Sequence, residues 1–154
     1  CAPRRGQLVV RVGGGRGDVD HEQPGEDELR QGHDGSPSGL AGGEVATTGR
    51  NLTRDAEYLR GRLTMTDILV DATQRHDASV PLIPNAWIGL MPAHAVICDL
   101  VVDPYLPDNH PPVVRGIEGI PQGNLDQWEF APDDPAWDRL PPGVPTDHRR
   151  VVVS

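Results

Sequence analysis

The chain has 154 residues, the size of a single domain, and a formal net charge of −9. This negative charge opposes binding to nucleic acid or to anionic lipid, and no run of Lys or Arg offsets it. Hydrophobic residues make up only 36% of the sequence, beside 18 Gly and 16 Pro, so we expect part of the chain to stay outside the core.

Other bulk features favour a cytoplasmic location. Cys1 and Cys98 are too few for a disulfide framework and lack the spacing of a metal site. No segment approaches the ~20 apolar residues of a membrane span, and the first residues lack the apolar centre of a secretory signal. Because the sequence begins at Cys1 and stops within the strand pattern Arg150–Ser154, we also expect it to be a fragment of a longer protein.

The first segment combines a strand pattern with a glycine cluster. Residues Leu8–Val12 predict a short β-strand that runs directly into Gly13 and Gly15. This junction is typical of a nucleotide-binding βα turn, so both glycines are candidate cofactor-binding residues. Residues 18–43 carry many Gly, Pro and charged residues and no apolar stripe, which predicts disorder or, alternatively, a reading-frame error. We therefore expect residues 1–44 to be a disordered or artefactual remnant of a first βα unit.

The middle of the chain predicts regular structure. Thr53 is a plausible N-cap for a short amphipathic helix over Arg54–Leu63. Asp67–Thr73 then reads as a strand, Asn85–Met91 as a second short helix between prolines, and Ala95–Val102 as a strand buried on both faces. A strand, a short helix and a strand in succession predict a βαβ crossover, and hence an α/β fold with a partial, Rossmann-like parallel sheet.

Beyond this unit the chain is rich in proline, and residues 127–154 are expected to form a Pro-rich extension. Val113–Ile117 and Arg150–Val153 are candidate edge strands. The aromatic residues expected to anchor these loops to the body are Trp128, Phe130 and Trp137.

Carboxylates at the strand ends are the strongest chemical signal. In open α/β sheets, ligands bind in the crevice beyond the carboxyl ends of the strands. Asp103 lies just past the second strand and is placed to reach that crevice, with a turn or cap as the alternative role, whereas Asp99 is expected to be partly buried. The residues that end the preceding strand are candidates for cradling a cofactor or, alternatively, form an ordinary βα turn: Asp71, Ala72, Thr73 and Gln74.

Metal binding and nucleophilic hydrolysis have little support. The six histidines are scattered without HxxxH or HExxH spacing, so no metal site is predicted. No Gly-x-Ser-x-Gly elbow is present, and Cys98 falls within a strand, where burial disfavours the reactive thiolate.

The stretches Thr66–Thr73 and Pro81–Asp103 resemble the nucleotide-binding domain of the alanine dehydrogenase and pyridine nucleotide transhydrogenase family. The resemblance lies in the turn Met91-Pro-Ala-His-Ala-Val96, followed by the strand that ends Asp99-Leu-Val-Val-Asp103. It implies that residues 45–126 are an NAD(P)-binding Rossmann-like core and that Asp103 is the active-site aspartate. Gly119 stands where the family has Asn, so one substrate-orienting side chain is missing.

The resemblance implies hydride transfer between NAD or NADP and the α-carbon of an amino acid or the corresponding oxo acid, in a homo-oligomer. The acid–base residues would belong to a substrate domain outside this sequence, and we therefore expect the chain alone to be inactive. Two alternatives stay open: a catalytically inactive nucleotide-fold module for binding or interaction, and a saccharopine- or opine-type reductase of the same superfamily.

Overall fold

The computed structural model describes residues 7–12, 44–49 and 52–154. The segment predicted to be disordered or artefactual, residues 18–43, lies outside them. The strands are β1 (Gln7–Val12), β2 (Glu44–Thr48), β3 (Thr66–Ala72), β4 (Val96–Asp99), β5 (Glu129–Phe130) and β6 (Val151–Val153). The helices are α1 (Ala56–Leu63) and α2 (Asn85–Ile88), with 3-10 helices at Leu52–Arg54 and Pro135–Arg139.

The six strands form one open sheet of order β2-β1-β3-β4-β6-β5. The central strands β3, β4 and β6 run parallel to one another. On one side β1 and β2 are antiparallel, and at the opposite edge β5 pairs antiparallel with β6. The predicted α/β class is therefore confirmed, with a mixed sheet whose parallel part is central.

The predicted crossover is present as β3, α2 and β4. The two strands are direct neighbours in parallel register, and Asp71 pairs with Asp99 at their carboxyl ends. Leu69 and Ile97, partners on one face of the sheet, are fully buried, whereas Val96 and Cys98 on the other face of β4 are only half-buried, so the prediction of a strand buried on both faces is wrong. The crossover thus places two aspartates side by side at one edge of the sheet.

Helix α2 is shorter than the predicted Asn85–Met91. It begins after Pro84, whose fixed φ suits a helix start, and it ends at Ile88. The Met91 amide then donates to the Ile88 carbonyl at 3.1 Å, only three residues back, so the chain continues as tight turns.

Helix α1 corresponds to the helix predicted over Arg54–Leu63 but begins at Ala56. Its N-cap is Asp55, whose carboxylate accepts the Tyr58 amide at 3.0 Å, so the predicted cap Thr53 is wrong. The 3-10 turn before the helix takes up Thr53, which explains the shift.

Strand β1 confirms the first predicted strand, but it runs antiparallel to β3. Its last residue, Val12, pairs with Thr66 at the start of β3, at the opposite end from Asp71. In a doubly wound nucleotide-binding sheet the corresponding strands are parallel. The candidate cofactor residues Gly13 and Gly15 lie outside the described residues.

Strand β4 ends at Asp99, so the prediction of a strand over Ala95–Val102 is too long. The Asp99 Oδ1 atom accepts the amides of Val101 at 3.1 Å and Val102 at 3.2 Å, which turns the chain away from the sheet. Val102 has a φ of 50°, a left-handed conformation that costs a β-branched residue free energy.

The expected extension, residues 127–154, contributes two strands to the sheet. The strand predicted at Arg150–Val153 exists as β6, but its placement at an edge is wrong, because β6 lies between β4 and β5. Phe130 and Trp137 are buried as predicted. Trp128 is 55% exposed, so its predicted anchoring role is wrong: its carbonyl accepts a backbone hydrogen bond while its ring faces solvent.

The segment Val113–Ile117 forms isolated bridges to Leu106 and Ile83 in place of the predicted edge strand. Across the described residues, no helix combines the length and apolar character needed to cross a bilayer. The core is built from apolar side chains of both helices, the central strands and the C-terminal loops: Leu59, Leu63, Leu69, Ile83, Ile88, Met91, Ala95, Ile97, Ile117, Ile120, Phe130, Trp137 and Val152.

Candidate functional site

Three aspartates gather at the carboxyl ends of β3 and β4. Asp71 and Asp99 are paired across the two strands, and Asp103 follows the turn after β4. Asp71 and Asp99 are buried, whereas the Asp103 side chain keeps 20% of its surface exposed. Sequence reasoning identified all three acids, and the fold brings them to one edge of the sheet.

Asp103 is held in place on one side only. Its Oδ2 atom accepts the Gly116 amide at 2.9 Å and lies 3.2 Å from an Arg75 guanidinium nitrogen. Arg75 is itself fixed, because it also donates to the carbonyls of Val80 and Val114. No described residue donates to Asp103 Oδ1. A partly exposed carboxylate with one fixed and one available oxygen is suited to accept a hydrogen bond from a ligand.

Only one of the two carboxylate oxygens of Asp71 accepts a hydrogen bond from a described residue. Its Oδ1 atom accepts the Thr73 amide at 2.9 Å, but its buried Oδ2 atom has no hydrogen-bond partner among the described residues. Burial raises the pKa of Asp71, the hydrogen bonds from Thr73 oppose the shift, and the charges of Asp99 and Asp103 add to it. Asp71 is therefore easier to protonate than an ordinary aspartate.

Gly116 allows two of these carboxylates to approach. A Cβ atom at this position would lie 2.8 Å from Asp103 Oδ2, 3.1 Å from Asp71 Oδ2 and 3.5 Å from Arg75 Nε. Any other residue would displace at least one of these groups. The absence of a side chain at Gly116 therefore sets the spacing of the acidic cluster.

Asp99 forms a buried ion pair with Arg115. Its Oδ2 atom lies 3.1 Å from a nitrogen of Arg115, and the exposed fractions of the two side chains are only 6% and 7%. Burial lowers the pKa of Arg115, and the charge of Asp99 opposes that shift. Ser154 also donates to this oxygen, at 3.4 Å. With both oxygens occupied, Asp99 acts as a structural acid that fixes the turn leading to Asp103.

A cleft of about 480 Å³ opens beyond the end of β3. Thr73 and Gln74 line it, as predicted for cofactor-binding residues, together with Arg54 and Arg75. The other two predicted cofactor residues take no part in its lining: Asp71 is buried inside the acidic cluster and Ala72 is exposed at the strand end.

Sequence reasoning missed the basic partners and the glycine of this site, namely Arg75, Arg115 and Gly116. Arg75 follows the candidate segment by one residue, and its nearness to a predicted strand end was the available signal. Arg115 and Gly116 fall within the predicted edge strand Val113–Ile117, and nothing in that pattern indicated that the segment would fold back onto Asp99 and Asp103.

The counter-charges of the cluster are guanidinium groups. Within the part of the chain that the structure describes, no three His, Cys, Asp or Glu side chains are grouped as metal ligands. Comparison of the chain with family models, with curated proteins and with solved structures gives no match.

Proposed function

We propose that the chain is a Rossmann-like NAD(P)-binding domain of an amino-acid oxidoreductase related to alanine dehydrogenase and pyridine nucleotide transhydrogenase. The observation that carries the proposal is the parallel β3-α2-β4 unit, which brings polar strand ends to one edge of the sheet. The neighbouring order β3-β4-β6 is that expected of the second half of a doubly wound sheet, in which the ligand lies beyond the carboxyl ends.

The cleft beyond β3 fits part of a dinucleotide. Its volume falls within the usual range for small-molecule sites, about 300–1,000 Å³. Arg54 supplies positive charge for a phosphate, and the exposed Gln74 offers an amide group for a ribose or a base. These residues would hold the cofactor, and the bound cofactor would accept or donate the hydride.

In this proposal Asp103 orients the amino acid or oxo acid. The Arg75 and Gly116 contacts fix one oxygen, so a ligand that bound to the other oxygen would cost the side chain little rotamer freedom. Asp71 lies behind Asp103 and sets the local charge, while Asp99 and Arg115 hold the turn. Support also comes from the left-handed Val102, since backbone strain is concentrated at functional sites.

The test is a calorimetric titration of the 154-residue chain with NADH and with NADPH. We expect saturable binding of at least one of them. Gln74→Glu places a negative charge in the cleft and should weaken binding about tenfold, a change of about 1.4 kcal/mol. The matched control is Gln122→Glu, at another exposed glutamine that lies outside the cleft, and this variant should bind like the parent chain.

Absence of saturable binding to either cofactor would overturn the proposal in favour of an interaction module without a nucleotide site. Equal weakening by both substitutions would mean that the cleft beyond β3 is not where the cofactor binds.

A further inference from the structure

One face of the sheet carries apolar side chains that none of the described helices covers. Because alternate residues of a strand point to the same face, strand register aligns these side chains in two rows across β3, β4 and β6. The rows are Ile68, Val96 and Val151, and Val70, Cys98 and Val153. None of these six residues belongs to the core, whereas both helices pack into the core on the opposite face. We call the two rows the open face.

The open face is accessible to solvent in the part of the chain that the structure describes. Val151 is 36% exposed, and the other five side chains are half-buried. Leu100, whose amide donates to the Asp71 carbonyl, continues the alternation beyond Cys98 and is 63% exposed. Parallel strands of α/β proteins are normally covered on both faces, and a contiguous exposed apolar patch marks a surface that binds another protein. We therefore expect a second layer on this face.

Charge favours a second copy of this chain as that layer. The six side chains are aliphatic apart from the Cys98 thiol, so the open face offers no ion pair to a basic or an acidic partner. Two copies of a chain with a formal net charge of −9 repel each other across most surfaces, and contact through an uncharged face avoids that cost. Glu129, which is aligned with Val153, is exposed on the edge strand β5 and can stay in water.

The size of the sheet suits a reversible dimer. Its six strands span about 24 Å and average about 15 Å in length, so each copy presents roughly 360 Å² in projection. Two copies would cover roughly twice that area, near the lower limit of specific interfaces, about 1,000 Å² of accessible surface. Faces rich in β-branched residues pack against each other in β-sandwiches, with the two sheets about 10 Å apart.

We propose that two copies of the chain form a symmetric dimer by packing their open faces together. Both copies contribute the same residues, as a two-fold axis requires. Cys98 lies in β4, the middle strand of the open face, and its thiol is covered when the dimer forms. The proposal goes beyond the proposed function and does not depend on a bound cofactor.

The experiment measures mass and thiol access in the Cys1→Ser variant, in which Cys98 is the single cysteine. Sedimentation equilibrium follows the mass over about three decades of protein concentration, and we expect a monomer–dimer equilibrium with a Kd of about 10–100 µM. Alkylation by iodoacetamide follows access to the Cys98 thiol, and its rate should fall at least about fivefold as the dimer forms.

Charged substitutions on the open face should weaken the dimer. Val151→Lys places a like charge of each copy in the contact and should raise the Kd at least about tenfold. Leu100→Lys is the second variant in case Val151→Lys disrupts β6, because Leu100 lies outside the strands. The matched control is Leu52→Lys, at an exposed leucine in the 3-10 helix that precedes α1, and this variant should dimerise like the parent.

The proposal is overturned if the chain stays monomeric at every concentration, or if a dimer forms without protecting Cys98. It is also overturned if neither charged variant on the open face weakens the dimer, or if Leu52→Lys weakens it equally. An unreactive Cys98 in the monomer would overturn it as well, because another part of the same chain would then cover the face. No measurement involves NADH or NADPH, so the result is independent of the test of the proposed function.

Discussion

The Oδ2 atoms of Asp71 and Asp103 converge on one point, the position that a Cβ atom of Gly116 would occupy, at 3.1 and 2.8 Å. Gly116→Ala should therefore push the two carboxylates apart. We expect a loss of about 1–3 kcal/mol in the free energy of unfolding, typical of overpacking, together with weaker NADH binding. Urea denaturation and calorimetry measure the two effects.

Gly61→Ala is the control for this substitution. A Cβ atom at Gly61 meets no atom within 4 Å, and the residue lies inside helix α1. The change should raise stability by about 0.5–1 kcal/mol, because alanine has the higher helix propensity. An equally stable Gly116→Ala variant would mean that the acidic cluster is more loosely spaced than described.

The raised pKa of Asp71 predicts a pH-dependent cost to folding. Between the pKa of Asp71 in the unfolded chain and its higher pKa in the folded protein, the folded state holds more protons. The stability that this group contributes is therefore complete in acid and is lost as pH rises through the folded pKa.

Asp71→Asn should remove this loss of stability at higher pH, because the amide stays neutral and can donate a hydrogen bond to Asp103. We expect the variant to be more stable than the parent at pH 8, by about 1–3 kcal/mol, the usual cost of a buried polar group without a partner. The difference should shrink as pH falls towards the pKa of a free aspartate. Urea midpoints across this range provide the measurement, and a gap that widens in acid would contradict it.

Asp77→Asn is a control of opposite sign. Hydrogen bonds from Ser79 lower the pKa of Asp77, so its contribution to stability is present at neutral pH and is lost as pH falls through the folded pKa. This variant should have a lower free energy of unfolding than the parent at pH 8. The difference between the two free energies should disappear only at acidic pH, where Asp77 of the parent is protonated.

The buried pair of Asp99 and Arg115 predicts a large and non-additive effect. Arg115→Met leaves Asp99 buried without its cation, which typically costs about 3–5 kcal/mol. The double variant with Asp99→Asn should recover part of that loss, because the uncompensated charge is removed. A thermodynamic cycle from urea denaturation gives the coupling energy.

The exposed pair of Arg149 and Asp138 is the comparison for this cycle. It has a shorter contact, 2.7 Å, but the Arg149 side chain is 33% exposed and that of Asp138 is 69% exposed. Its coupling energy should be about 0–1 kcal/mol. Equal coupling in the two pairs would show that burial does not decide the strength of the Asp99 pair.

The left-handed Val102 predicts a stabilising substitution. Val102→Asn should raise stability by about 1 kcal/mol, since asparagine tolerates a positive φ and the valine is 40% exposed. Val101→Asn, one residue earlier and without a positive φ, should give no gain. If Val102→Asn also weakens NADH binding, we would conclude that the left-handed turn at Val102 holds Asp103 in the position that ligand binding requires.

The local pattern of the chain predicted the crossover well. The spacing of apolar residues and the positions of the prolines located β3, α2 and β4 to within a few residues. The rule that ligands bind at the carboxyl ends of strands identified Asp71, Asp99 and Asp103. These features depend on neighbours in sequence or on a single parallel pairing, which explains the success.

Features set by distant contacts were not predictable in this way. Arg115 reaches Asp99 only after the loop between them has folded back. The extent of β4 depended on the Asp99 side chain capturing two amides, which a continuous apolar run does not indicate. The direction of β1 is likewise fixed by its partners β2 and β3 rather than by its own residues.

The position of β6 between β4 and β5 has a consequence for how the chain folds. During synthesis, β4 emerges long before Val153, the residue that pairs with Cys98. Until then β4 presents an open edge, a known template for wrong association between chains. Completion of the sheet must therefore wait for residues 151–153, and such non-local closure favours slow folding.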